Sequence, residues 1–166
     1  MALTDAQIAT FKVAITTETD PTLVSLRTAG ATGAMTDWYN APSTFIVWKT
    51  RLHEQEITSL TSDEGTVWSW PAFISRSVAE QTGWQRMFNG TYTINPSLAQ
   101  ARTGIADIFS GGTGAAQRTH ILAMSKRPAT RGEKVFATGA GTTATPGTLV
   151  FEGRIGEYDI VRALYQ

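Results

Sequence analysis

The sequence predicts a mainly α-helical protein with a short β element near its C-terminus. Capped amphipathic segments follow one another between residues 4 and 136, and a glycine- and threonine-rich stretch then precedes a short apolar segment. With 166 residues, the chain is long enough to bury a hydrophobic core. We therefore expect a small helical domain over residues 1–138. Residues 139–166 are expected to form a flexible arm with a C-terminal strand and tail.

The first three helices are predicted by caps and apolar spacing. Apolar residues recur at helical intervals over residues 4–17, and Thr4 or Asp5 can cap the first exposed amides. Asp20, directly followed by a proline, is typical of a second helix start, and Gly30 ends that helix. A third segment, "GAMTDWYNAP", should end before Pro42, because the residue preceding a proline avoids helical geometry.

The middle of the chain has a less uniform pattern. "STFIVWKTRL" is rich in aromatic and β-branched residues and fits either a strand or a packed helical turn, whereas "HEQEITSL" is helical. A long helix is predicted over residues 68–89, weakened at Gly83. In "NPSLAQARTGIADIFSGG", Asn95 should cap a helix that Gly111 and Gly112 terminate.

The last third is predicted to contain two more helices and the arm. "AAQRTHILAMSKR" forms an amphipathic helix that should end or kink before Pro128, and "ATRGEKVFATG" forms a separate short helix. Residues 139–147, "GAGTTATPG", contain nothing that would build a core. "TLVFEG" then predicts a strand, and "EYDIVRALY" a final short helix or extended tail.

Composition and charge exclude several classes of protein. The formal net charge is zero, so the molecule as a whole is not an electrostatic nucleic-acid binder. Charged residues make up only 17%, which indicates a neutral surface or one covered by partners. The chain has no cysteine, which excludes disulfides and thiol nucleophiles. No signal peptide or membrane span is apparent, so we expect a soluble protein made in the cytoplasm.

No catalytic constellation can be identified, so we expect neither an enzyme nor a cofactor. The glycine-rich stretches lack the lysine of a phosphate-binding loop, and no nucleophile elbow is present. His53 stands beside Glu54 and Glu56, a group that could suit a metal but that a solvated helix face explains at least as well. His120 is most simply a helix side chain, and no catalytic or metal-binding residue is assigned.

The basic cluster is the most informative charged feature. It could contact nucleic-acid phosphates, form ion pairs with an acidic partner, or be a solvated face. If the kink at Pro128 is small, its last three members share one helical face. This partner- or DNA-facing patch consists of Arg118, Lys126, Arg127, Arg131 and Lys134.

Five tryptophans are many for this length, and they fit either a core or an interface. We assign Trp48 and Trp84 to the core and leave Trp68 and Trp70 open between the two roles.

The apolar residues that follow the arm are predicted to dock on a neighbouring subunit. Burying each large apolar side chain is worth ~1.5–3 kcal/mol, so several together can offset the ordering of a flexible linker. Folding back onto the same domain is the alternative in an isolated subunit. The docking tail consists of Leu149, Phe151, Ile155, Tyr158, Ile160, Leu164 and Tyr165.

Three motifs in order carry a resemblance to a known family: "NAPSTFIVWKT", "INPSLAQARTGIADIFSGG" and "RPATRGEKVFATGAGTTATPGTLVFEG". On these motifs, most of residues 40–163 resembles a family of proteins encoded in the structural gene block of tailed bacteriophages and prophages. The resemblance implies a virion protein synthesised in the bacterial host cytoplasm, and it implies no catalysis.

Within a structural block, a small helical protein with an arm suggests a head-to-tail connector, or adaptor, which forms a neck ring beneath the portal. The expected partners are about twelve copies of the chain itself, the portal and tail or neck proteins, and non-specific channel DNA, with no membrane. A capsid decoration or minor head protein is the alternative. A small enzyme and a DNA-binding module are less favoured, because the chain lacks catalytic motifs and net positive charge.

Overall fold

The computed structural model describes residues 2–90 and 92–166 and shows a mainly α-helical protein. Helices account for 55% of the chain and strands for 13%, which confirms the predicted fold class. Within the described residues the elements are, in chain order, α1 (Asp5–Thr17), α2 (Pro21–Thr28), α3 (Thr32–Asn40), β1 (Pro42–Trp48), β2 (Leu52–His53), α4 (Glu54–Ser59), α5 (Trp70–Ile74), α6 (Val78–Met87), β3 (Thr93–Ile94), α7 (Ala99–Ile108), α8 (Gly111–Met124), β4 (Lys126–Thr130), α9 (Arg131–Phe136), β5 (Ala137–Thr138), β6 (Thr148–Leu149) and α10 (Glu157–Tyr165).

The chain divides into two compact units, and the division differs from the predicted one. Unit 1 combines Met1–Val47 with Pro128–Gln166, and unit 2 is the continuous segment Trp48–Arg127. The sequence placed a boundary between a helical domain and an arm at residues 138 and 139, but the structure puts both sides of that point in unit 1. The physical reason is that α10 packs on α1 and α3, so the C-terminal segment belongs with the N-terminal helices.

Unit 1 is organised around a core to which both ends of the chain contribute. Phe11 and Ile15 on α1 are fully buried, as is Met35 on α3. Phe11 packs edge-on against the Tyr39 ring, with 4.7 Å between centroids. The other buried members of this core are Leu3, Ile8, Leu23, Phe136, Ile155, Ile160 and Ala163.

Polar side chains fasten the C-terminal segment into unit 1. The Asn40 side chain pairs with the backbone of Ile155: its amide nitrogen donates to the Ile155 carbonyl at 2.8 Å, and its oxygen accepts the Ile155 N–H at 3.0 Å. The buried carboxylate of Asp159 accepts the N–H groups of Leu3 and Gly156 at 3.0 and 3.1 Å. These hydrogen bonds of Asn40 and Asp159 fix the register of α10 against the N-terminal helices.

The predicted arm, residues 139–147, lies along β1. The Ile46 N–H donates to the Gly141 carbonyl, and the Gly147 N–H donates to the Ile46 carbonyl, each at 2.8 Å. The segment turns between Thr142 and Thr145, whose hydroxyls are 2.7 Å apart. The strand predicted from "TLVFEG" is limited to β6, which pairs antiparallel with β5.

Unit 2 has its own aromatic core. Trp84 on α6 is almost completely buried, and its ring stacks against Trp68 at 5.3 Å and meets Phe109 edge-on at 5.4 Å. Helices α4, α5 and α7 all pack on α8, and β2 pairs antiparallel with β3. The remaining buried members of the core are Leu52, Ile57, Phe73, Phe88, Ile94, Ile105, Ile121 and Met124.

Local caps explain where the helices of unit 2 differ from prediction. The expected long helix is split into α5 and α6 by a break at Ser75–Ser77, not at Gly83, because Ser77 forms a capping box with Glu80. Asn95 does not cap α7; its side chain accepts the Ser97 N–H in a turn, and α7 begins at Ala99.

Two further boundaries were predicted wrongly between residues 110 and 130. Gly111 and Gly112 begin α8 and do not end α7. Helix α8 ends at Met124, and the residues around Pro128 form strand β4, which pairs with β1. Strand β4 lies at an edge of this two-stranded sheet, and edge strands tolerate proline.

Candidate functional site

A cleft with a mixed polar and aromatic lining lies in unit 1 beside α9, and we call it the α9 cleft. Its volume is about 570 Å³. It contains two of the predicted basic residues and two acidic ones, around an aromatic floor. The lining residues are Ala14, Glu18, Asp20, Trp38, Tyr39, Pro42, Ser43, Thr44, Arg131, Lys134 and Val135.

Arg131 is held in the cleft by α3. Its guanidinium carbon lies 4.5 Å from the centre of the Trp38 ring, a cation–π arrangement. The same group donates from Nη1 to the Trp38 carbonyl at 3.1 Å. Helix α9 is itself fixed by a capping box, in which Thr130 and the buried Glu133 exchange hydrogen bonds. These contacts give Arg131 one defined position.

Tyr39 contributes a polar group that the chain does not satisfy. The residue is 2% exposed, and its hydroxyl has no hydrogen-bond partner within the described residues. Burial, and to a lesser extent the nearby Glu18 carboxylate, raise the pKa of this phenol above its ordinary value. The hydroxyl therefore remains a protonated donor at neutral pH. An unpaired buried donor costs about 1–3 kcal/mol, which makes this position notable.

The charges in the cleft are balanced. Arg131 is joined by Lys134, an exposed residue whose ammonium group has no hydrogen bond or ion pair within the described part of the chain. Opposite them, Glu18 accepts the N–H groups of Thr19 and Asp20 at 2.8 and 3.1 Å. Asp20 in turn caps α2, as predicted. Two cations and two anions therefore share one cleft.

The other predicted basic residues are engaged elsewhere, in unit 2. Arg118 donates to the Phe109 carbonyl at 2.8 Å, and Lys126 pairs with Glu64 at 3.0 Å. Arg127 lies on β4, so the single helical face expected for Arg127, Arg131 and Lys134 does not exist. The reason is that α8 stops before these residues and the chain becomes extended.

The predicted docking tail is divided between the core and the surface. Ile155 and Ile160 are buried in unit 1, and Phe151 and Leu164 pack against that core. Leu149 on β6 is half-buried. Four of these five residues therefore pack in the core of their own unit, which corresponds to the folded-back alternative.

The rest of the tail forms an exposed face on α10. Tyr158 is 64% exposed and Tyr165 67%, with Val161 between them. Their spacing of three and four residues places them on one side of the helix. We call these three residues the outer face of α10. The opposite side of α10 carries Ile160 and Ala163 into the core, so this helix is apolar on two sides.

The tryptophans and histidines take varied positions. Trp84 is in the core as predicted, but Trp48 is half-buried with the Arg102 guanidinium 4.6 Å from its ring centre. Trp68 joins the core, whereas Trp70 is 51% exposed. His120 is fully buried; its Nε2–H donates to the Ile57 carbonyl at 2.7 Å, and its Nδ1 lies 3.0 Å from the Thr66 hydroxyl.

His53 and its acidic neighbours do not form a metal-binding group. Glu56 accepts the His53 backbone N–H at 3.1 Å and pairs with Lys49 at 3.0 Å. Burial would raise the pKa of the Glu56 carboxyl, but these two donors together hold it below its ordinary value. Among the described residues no cluster of three or more histidine, aspartate or glutamate side chains is placed to hold a metal.

No helix in the described ranges is both long and apolar enough to cross a bilayer. Comparison with protein-family models, curated proteins and solved structures gives no significant match for this chain.

Sequence reasoning identified Arg131 and Lys134 but missed Trp38, Tyr39 and Glu18. The adjacent aromatic pair at the end of α3 was the available signal. Its proximity to α9 comes from tertiary packing, which local patterns do not encode.

Proposed function

We propose that this chain is a structural subunit of a tailed-bacteriophage virion, a head-to-tail connector that associates with further copies of itself in a ring. The motifs that resemble phage structural-block proteins support the virion setting. The outer face of α10 supports association, and it is the observation on which the proposal mainly depends. The alternative within the same setting is a capsid decoration or minor head protein.

The outer face of α10 is suited to a protein partner. A helix that is apolar on two sides is normally buried on both. Tyr158 and Tyr165 are large, have few rotatable bonds, and carry hydroxyls that tolerate partial hydration, which is why tyrosine is enriched at interfaces. Because the net charge of the chain is zero, copies do not repel one another at long range. A second copy of this chain is therefore the proposed occupant.

The charge distribution favours protein over DNA as the partner of the α9 cleft. A phosphate that approached Arg131 and Lys134 would also meet Glu18 and Asp20. Arg118 and Lys126 have partners within unit 2, which reduces the cationic charge left for a polyanion. We therefore assign the basic residues a role in binding and positioning protein, with no catalytic role.

The association is tested by measuring particle mass over a range of protein concentrations. The wild-type chain should assemble into species several times its 18.0 kDa mass. A Tyr158→Ser/Tyr165→Ser double variant should stay monomeric with an unchanged circular dichroism spectrum. Val13→Ser/Val150→Ser is the matched control, because these residues are 62% and 71% exposed and lie off α10. A wild type that is monomeric throughout, or a double variant that assembles normally, contradicts self-association.

The virion setting is tested separately on particles of the phage or prophage that encodes the chain. Mass spectrometry should detect the protein in purified particles, and antibody labelling in electron micrographs should mark the head–tail junction. Labelling of the icosahedral shell would favour the decoration alternative. Absence from the particles would overturn the virion role.

A further inference from the structure

Unit 2 carries a second cleft, which the proposed virion role does not involve. We call it the Trp70 cleft. It has a volume of about 390 Å³ and lies between the start of α4, the start of α5 and the turn before β3. Two exposed aromatic rings and a small set of polar groups surround it. The lining residues are His53, Glu54, Gln55, Thr58, Trp70 and Tyr92.

The aromatic walls of this cleft are held in place from behind. The Trp70 ring meets Trp68 and Phe73 edge-on at 5.7 and 5.9 Å, yet it is 51% exposed. Those two neighbours belong to the core of unit 2. Trp70 is therefore held in place by the core of unit 2, while about half of its surface stays exposed to solvent.

Tyr92 is held by its backbone. It is 74% exposed and has a φ of 53°, the only positive φ at a non-glycine position in residues 2–90 and 92–166. Its N–H donates to the Phe88 carbonyl at 2.9 Å, and its carbonyl accepts the Glu54 N–H at 3.1 Å. An aromatic residue rarely adopts this conformation, and such outliers cluster at ligand-binding positions.

The polar lining of the cleft is acidic. The Glu54 carboxylate is fixed by the Trp84 indole, which donates to Oε1 at 3.0 Å. Thr58 already donates its hydroxyl to the Glu54 carbonyl at 3.1 Å. No lysine or arginine is among the lining residues. The neighbouring Glu56 is neutralised by Lys49, so Glu54 sets the sign of the charge at the cleft.

We infer that the Trp70 cleft binds an organic cation, an alkylammonium or guanidinium group. The faces of tryptophan and tyrosine attract cations through their quadrupoles, and tryptophan does so most strongly. A fixed carboxylate adds a charge-assisted hydrogen bond. An anion would instead meet both the negative ring faces and Glu54. Two aromatic rings and one acid therefore line the same cleft, which is the residue set of an aromatic cage.

The inference is tested by titrating the full-length chain with small probes while following the Trp70 indole N–H by NMR. The probes are N-acetylarginine amide, N-acetyllysine amide and choline, with N-acetylcitrulline amide as the neutral isostere of the arginine probe and N-acetylglucosamine as a neutral sugar. At least one cation should shift the Trp70 signal with an affinity about tenfold above that of both neutral probes. Choline binding would identify a free small cation as the source, and preference for an amino-acid amide would identify a basic side chain of a polypeptide.

Variants distinguish cation binding at the Trp70 cleft from weak, non-specific binding elsewhere on the protein. Glu54→Gln preserves an acceptor for Trp84 but removes the charge, and it should reduce cation affinity about tenfold. Tyr92→Gly removes one wall without straining the backbone. It should reduce cation affinity by a comparable factor, measured from the Trp70 indole signal. Ile74→Ser is the matched control, because Ile74 is exposed on α5 but does not line the cleft. Equal binding of the neutral probes, preference for the sugar, or unchanged affinity in Glu54→Gln would overturn the inference.

Discussion

Tyr92 has a backbone conformation that is unfavourable for a residue other than glycine. A left-handed conformation costs a non-glycine residue about 1–2 kcal/mol, and glycine adopts it freely. The ring contributes little in return, since it is 74% exposed. Its position at the wall of the Trp70 cleft gives a reason for keeping tyrosine there.

We predict that Tyr92→Gly raises the free energy of unfolding by up to about 1 kcal/mol, because relief of strain exceeds the added chain entropy of glycine. Denaturant titration measures this change. Tyr158→Gly is the control: Tyr158 is similarly exposed but helical, so glycine there should cost about 1 kcal/mol. If Tyr92→Gly is destabilising by a similar amount, the ring supports the fold and the strain argument is wrong.

The hydroxyl of Tyr39 presents the opposite case, a buried group with no hydrogen-bond partner among the residues that the structure describes. We predict that Tyr39→Phe leaves the free energy of unfolding unchanged or raises it by about 1 kcal/mol, because it removes an unsatisfied donor and preserves the ring. Tyr39→Ala, which also removes the contact with Phe11, should cost about 3–5 kcal/mol. A loss above 1 kcal/mol in Tyr39→Phe, measured by thermal or denaturant unfolding, would mean that the hydroxyl is hydrogen-bonded in solution.

At the scale of elements, the sequence predicts most clearly where caps are local. Helix α2 begins at Pro21 after the Asp20 cap, and α3 ends before Pro42, as expected. Strand β4 and the start of α7 were missed for different reasons. Asn95 caps helices and starts turns equally well, and β4 is stabilised by a partner strand that is distant in sequence.

The glycine-rich segment, residues 139–147, shows what composition alone does not predict. Its composition indicates a flexible arm, but the glycines are also what allows the backbone to approach Phe45 on β1. A Cβ added to Gly141 would overlap the Phe45 ring, and one added to Gly147 would lie 2.5 Å from it. A composition rich in glycine therefore fits close packing as well as freedom.

We predict that Gly141→Ala lowers the free energy of unfolding by at least about 2 kcal/mol, because it combines a φ of +66° with a clash against the Phe45 ring. Gly65→Ala is the control, since Gly65 has a similar φ of +75° but no atom within 4 Å of the added Cβ. It should show only the conformational cost of about 1 kcal/mol. Equal costs at the two positions, measured by denaturant unfolding, would show that residues 139–147 do not pack on β1 in solution.

At the scale of the whole molecule, the chain forms two units, and its composition does not show which segments belong to which unit. Unit 1 contains both ends of the chain, and unit 2 is inserted between Val47 and Pro128. The two crossings fall within strands β1 and β4. Sequence reasoning looks for boundaries in glycine- or proline-rich stretches, so it placed one at residue 138 and missed both crossings.

This organisation predicts what truncation will do. If the tail docked on a neighbouring subunit, as the sequence predicted, deleting residues 148–166 would leave a folded core. In the structure the deletion removes Ile155 and Ile160 from the core of unit 1. Losing several buried side chains, each worth ~1.5–3 kcal/mol, exceeds the stability of an ordinary domain. We therefore expect unit 1 to unfold.

Unit 2 should survive the same deletion, because its aromatic core draws only on residues 48–127. Trp68 and Trp84 stack within that core, so near-ultraviolet circular dichroism reports on it directly. We expect the truncated chain to lose helical signal while retaining a tryptophan near-ultraviolet spectrum, and limited proteolysis to leave a fragment close to residues 48–127. The same fragment expressed alone should give a matching spectrum. A truncated chain that unfolds in one transition at the wild-type midpoint would show instead that residues 148–166 contribute nothing to the core of unit 1.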